Sequence, residues 1–269
     1  TCRIGQNDRH ADIGFDMEAV AWLQPEGMAF WAAGVLVVSS GLTSFIAGAF
    51  GLGGGIVLLA IMGSLMPVTT MIPVHGVVQL GSNAGRALMM LKNISTGILL
   101  PFLMGSLIGG AVGGLVVIRM PPELLQIGLG VFVLWSIWGR LPALASGRWA
   151  MAITGLISTF LTMFFGATGV FVASMVRTLG FDRLTFVASH AACMTLQHGI
   201  KVIAFGLLGF AFGDYAPLML AMIASGVLGT YIGRLVLKRT PDERFQLILN
   251  GLLTIMALRL LWQGASAFL

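Results

Sequence analysis

The chain has 269 residues, 57% of them hydrophobic and only 9% charged, with a formal net charge of +5 and a mean hydropathy of +0.96. That composition lies outside the range of soluble globular domains and inside the range of integral membrane proteins. The basic residues fall mainly between apolar runs rather than in one patch, which argues against a nucleic-acid partner and makes the lipid bilayer the first partner of the chain.

Residues 1–28 read as a polar extramembrane tail, carrying Arg3, Asp8, Arg9, Asp12, Asp16 and Glu18 without the apolar core of a signal peptide. No charged residue then occurs between Gly27 and Gly85. As helix that run would be about 88 Å long against a hydrocarbon core of ~30 Å, so it must cross the bilayer two or three times. Apolar runs bounded by charge and by Pro or Gly predict helical segments at 29–50, 54–66, 70–91, 96–118 and 123–139. Five more follow at 149–166, 168–179, 184–209, 214–236 and 243–263. Segments 54–66 and 168–179 are shorter than the ~20 residues of an ordinary span, so they read as half-helices or re-entrant pieces. Cys2 and Cys193 form neither a disulfide framework nor a metal-ligand spacing; no metal or cofactor is expected.

The two sets of five segments are a duplication. At an offset of 115, Gly51 falls on Gly166, Gly54 on Gly169, Thr70 on Thr185, His75 on His190 and Arg86 on Lys201. After a five-residue insertion the offset is 120, placing Gly109 on Gly229 and "RMPPE" (119–123) on "RTPDE" (239–243). Membrane repeats are therefore expected at 29–140 and 149–263. Five is an odd number, so if every segment crosses, the second repeat enters from the opposite face and the repeats are inverted. With ten crossings Lys92, Arg140, Arg148, Arg177, Arg183, Lys238, Arg239 and Arg244 share one side, which is then cytoplasmic. The expected fold is all-α, with two inverted-topology repeats of about five helical segments and helices broken at Gly-rich motifs.

"PVHGVVQLGSNAGR" (73–86) places His75, Gln79, Ser82, Asn83 and Arg86 at i, i+4, i+7, i+8 and i+11, one face of a helix. His190, Gln197, His198 and Lys201 repeat that stripe. An ionisable group within a span costs several kcal/mol unless it is paired or lines water, which points to function, although Arg86 taken alone could snorkel to the interface. "FGLGGG" (50–55) and "FGATGV" (165–170) each separate a long apolar run from a short one. No strand or acidic ribose partner accompanies them, so a dinucleotide fingerprint is rejected. Helices broken at Gly51, Gly53, Gly54 and Gly55, and at Thr168 and Gly169, would instead offer N–H groups and positive dipole ends to an anion. The spans hold no carboxylate, since Glu123, Asp214, Asp242 and Glu243 all lie at predicted helix ends. The cavity should therefore be electropositive and its ligand a small anion.

"GLTSFIAGAFGLGGG" (41–55), "HGVVQLGSNAGRAL" (75–88), "GSLIGGAVGGLVVIRMPPELLQIGLG" (105–130) and "ASGVLGTYIGRLVLKRTPDERFQLILNG" (224–251) together resemble the sulfite exporter family TauE/SafE. The likeness spans about residues 35–262. It implies a two-repeat secondary exporter of sulfite, sulfoacetate or a related small anion, with Gly51, Gly53, Gly54 and Gly55 in its glycine motif. In the second repeat Thr168 and Val170 stand where the first has Gly53 and Gly55. The reading is thus an alternating-access transporter in the bacterial inner membrane, not an enzyme, with a homodimer as a possible assembly. A passive small-anion channel would share the same stripe. An intramembrane enzyme has weaker support, because no His-x-x-x-His spacing and no nucleophile paired with a buried acid is present.

Overall fold

The computed structural model describes residues 24–50, 53–139, 147–236 and 243–268, with the side chains of 236, 243–249 and 252 left aside. Gly51, Cys2, most of the polar tail and the loop "KRTPD" (238–242) lie outside the described residues. Among the described residues there is no strand.

The helices of the first half are α1 (Phe30–Phe50), α2 (Gly54–Gly63), α3 (Val68–Met89), α4 (Leu99–Val117) and α5 (Pro122–Trp138). Those of the second are α6 (Arg148–Phe165), α7 (Gly169–Arg177), α8 (Arg183–Leu207), α9 (Ala216–Val236) and α10 (Glu243–Ser266). Their ends follow local chemistry. α5 starts with Pro122 and has Glu123 in its first turn, a proline whose missing N–H costs nothing there and an acid that favours the positive dipole end. α8 starts behind Asp182, whose side chain accepts from the N–H groups of Leu184 and Thr185.

Between α1 and α2, Gly53 has φ +96°, and between α6 and α7, Gly166 has φ +78°. An L-residue in that region is strained by roughly 1–2 kcal/mol, so glycine is what lets each helix stop and restart inside the fold. α2 is buried almost all round, with Leu58, Leu59, Ala60 and Met62 fully inside. Its partners in the main core are Met71, Val74 and Val78 of α3, Leu129 and Val133 of α5, and Ala257 and Leu260 of α10.

Among the described residues, four helical stretches are long and apolar enough to cross a membrane: Phe30–Phe50, Thr96–Val117, Arg148–Phe165 and Phe212–Leu235. Outward faces carry large apolar side chains, such as Leu107, Ile108 and Leu115 on α4 and Leu220, Leu228 and Leu235 on α9. Such an exterior suits lipid as solvent.

The halves interlock. α1 packs along α9 and α6 along α4, while α3 packs on α8 and α5 on α10. The first two contacts are close because of glycine. A Cβ on Gly109 of α4 would overlap the Leu156 carbonyl oxygen of α6, and one on Gly229 of α9 would overlap that of Gly41 in α1. Gly109 and Gly229 are matched at offset 120, and Gly41 and Leu156 at offset 115. Each half therefore lends its fourth helix to the first helix of the other half.

Candidate functional site

Where α3 and α8 meet the starts of α2 and α7, the interior holds a cavity of about 40 Å³, room for two or three waters or one small ion. Gly53, Gly55 and Ile56 line it from the start of α2, and Gly169 and Val170 from the start of α7. From α3 come His75, Gln79, Asn83 and Arg86, and from α8 come His190, Met194 and His198. Two helix N-termini thus present their positive ends to one space.

The histidines are tied to those ends. His75 Nε2–H donates to Gly55 O at 2.9 Å, and His190 Nε2–H donates to Gly169 O at 2.9 Å. A carbonyl can only accept, so in the neutral ring Nδ1 is left as the acceptor. Among the described residues neither Nδ1 has a hydrogen-bond partner, nor has that of His198. His75 and His198 meet edge to face with ring centroids 6.0 Å apart.

Arg86 is 3% exposed, so it is buried rather than snorkelling. Its Nη1 donates to Asn83 Oδ1 at 3.4 Å, and its Nε has no hydrogen-bond partner among the described residues. Asn83 is held in turn by Nδ2 donating to Gln79 O at 2.8 Å and to Gln79 Oε1 at 3.1 Å. Among the described residues no Asp or Glu is buried, so nothing acidic on the described chain balances this guanidinium. No group of three His, Cys, Asp or Glu among the described residues is arranged to hold a metal.

Other predicted site residues lie beside the cavity without lining it. Ser82 Oγ lies 3.0 Å from Ser44 Oγ of α1 and 3.5 Å from Thr230 Oγ1 of α9. Gln197, its counterpart in the second repeat, donates from Nε2 to Thr168 Oγ1 at 2.7 Å, and Thr168 donates on to Ser158 O at 3.1 Å. Lys201 Nζ donates to Gly166 O at 3.0 Å and is not itself among the lining residues. Gly54 is packed so tightly on α1 that a Cβ would overlap Thr43 O. Gly51 lies outside the described residues.

The lining repeats at four matched pairs, Gly55 with Val170, His75 with His190, Gln79 with Met194 and Asn83 with His198. Met194 was missed by polarity, and the offset of 115 was the signal that could have found it. Ala47 of α1, Ile56 of α2 and Ala167 between α6 and α7 also line the cavity, and as apolar residues in an apolar sequence they carry no signal.

Residues 35–260 match the family model described as Sulfite exporter TauE/SafE. The chain belongs to this family. No curated protein and no solved structure matches the chain. TauE/SafE membership, together with the apolar helices, makes the chain an integral membrane protein of a transporter family rather than of an enzyme family.

Proposed function

We propose that the chain is a secondary transporter, working as an exporter, of a small sulfur-containing anion such as sulfite or an organosulfonate like sulfoacetate. One observation carries this reading: Arg86, 3% exposed and without a buried carboxylate among the described residues, lines a cavity shared with two helix N-termini. A cation so placed in an apolar interior costs several kcal/mol unless a ligand or water meets it. A compact oxyanion would take the guanidinium and the helix-end N–H groups together, with Gln79, Asn83 and the imidazoles replacing lost water. In this reading the two halves are inverted repeats that rock about this site in alternating access, in the bacterial inner membrane. A volume suited to one ion favours such a carrier over a continuous pore.

The test is flux in proteoliposomes for sulfite, sulfate, thiosulfate, sulfoacetate, taurine and acetate, each against an opposing gradient. Sulfur anions should be moved and taurine poorly, because among the described residues no carboxylate lines the cavity to receive its ammonium. Arg86→Ala should lower sulfite flux at least about tenfold at normal membrane levels. Preference for a cationic or uncharged solute, or full flux in Arg86→Ala, would overturn the reading. Flux that never proceeds against a gradient would make the protein a channel.

A further inference from the structure

Each broken helix ends on a cation, and both cations come from α8. Lys201 Nζ donates at 3.0 Å to Gly166 O at the end of α6, a carbonyl that also accepts from Thr162 Oγ1 at 3.0 Å. Arg183 Nη2 donates at 3.2 Å to Ala49 O in the last turn of α1. Lys201 is fully buried, and no acid among the described residues is buried with it. Its ammonium therefore rests on a helix C-terminus rather than in an ion pair. The crossing is shaped for its stem: a Cβ on Gly76 of α3 would lie 2.6 Å from Lys201 Cε. In secondary transporters the C-terminal ends of half-helices and the carbonyls of unwound backbone are where a coupling sodium ion is held. An ammonium is a compact point charge that can take that place.

Resting on the transport reading above, we propose that Lys201 and Arg183 are tethered counter-ions that occupy the cation positions at the two helix breaks, so that the carrier works without sodium. Lys201 is then a positioning residue, holding the end of α6 while α7 presents its start to the cavity, and Arg86 is the cation that meets the anion. Neither side chain can leave with the cargo.

The test uses the full chain in two assays. In proteoliposomes, wild-type sulfite flux should be unchanged when choline replaces sodium. Flux in Lys201→Ala should fall at least about tenfold and recover when methylammonium or sodium is added, since either can enter the vacated space. In thermal unfolding, sodium chloride should stabilise Lys201→Ala over choline chloride and leave the wild type unmoved. Sodium-dependent wild-type flux, sodium-specific stabilisation of the wild type, or absence of both rescue and sodium stabilisation in Lys201→Ala would each overturn the proposal. If the unfolding results hold but no anion is carried, the transport reading fails and the tethered cation stands.

Discussion

Arg86 and Lys201 occupy matched positions of the two repeats, yet one lines the cavity and the other closes a helix end. Their chemistry separates them. A planar guanidinium spreads its donors and suits an oxyanion, whereas an ammonium is satisfied by a carbonyl oxygen. Asp182, exposed at the start of α8, shows the opposite economy of charge. Its carboxylate accepts from Thr185 Oγ1 at 2.5 Å, Thr185 N at 3.2 Å and Leu184 N at 2.9 Å. The Thr185 hydroxyl above all, then the N–H groups of Thr185 and Leu184, hold this carboxyl below its ordinary range. Because the folded-state value is depressed, the stabilisation is present above the unfolded carboxyl's pKa and disappears as pH falls through the folded one. Asp182→Ala should therefore lower the unfolding temperature by a few degrees at neutral pH, and the gap from wild type should close in acid. Melting curves of the two proteins across pH would measure it, and a gap that persists or widens in acid would contradict it.

At the scale of elements, two helix pairs depend on absent side chains. Gly105 and Gly109 of α4 sit against the carbonyls of Ala152 and Leu156 in α6, and Gly229 and Gly233 of α9 against those of Gly41 and Phe45 in α1. Backbones this close gain dispersion contacts that lipid tails cannot replace, which is how helices associate where the hydrophobic effect is weak. Gly109→Ala and Gly229→Ala should each destabilise by about 1–3 kcal/mol, because a rigid carbonyl rather than a flexible side chain must give way. The two losses should be similar, since the contacts are counterparts. Gly97→Ala, with open space around its Cβ position, is the control and should change little. Thermal unfolding in lipid discs would compare them, and tolerance of both substitutions would mean that the helix pairs are looser than described.

For the whole molecule, the swapped pairing of halves makes an inverted arrangement testable from outside. Lys92, after α3, and Ala211, after α8, are exposed and follow counterpart helices. With inverted repeats, cysteines placed at Lys92 and Ala211 should react with a membrane-impermeant thiol reagent from opposite faces. Labelling of both from one face would show parallel repeats instead. The native Cys193 is buried and should not interfere, and Cys2 is replaced by serine in the background used.

Reading the chain alone was enough for the ten helical segments, whose ends lie within a few residues of the described helices, as at 29–50 against Phe30–Phe50 and 123–139 against Pro122–Trp138. The physical reason is local. In a bilayer every backbone group must be satisfied within its own segment, so apolar length and Gly or Pro punctuation suffice to mark a helix. The polar stripes were legible for the same reason, since helical periodicity alone aligns His75, Gln79, Asn83 and Arg86. Which members of the stripes meet was decided by helix crossing. Ser82 and Gln197 lie at the flanks and bond neighbouring helices, Lys201 turns to Gly166, and Met194 enters the lining unannounced. Those outcomes depend on how close two backbones approach, as where Gly76 admits the Lys201 stem and Gly54 seats α2 on α1. A one-dimensional pattern shows that glycine is present, but only the packed molecule shows what each missing side chain makes room for.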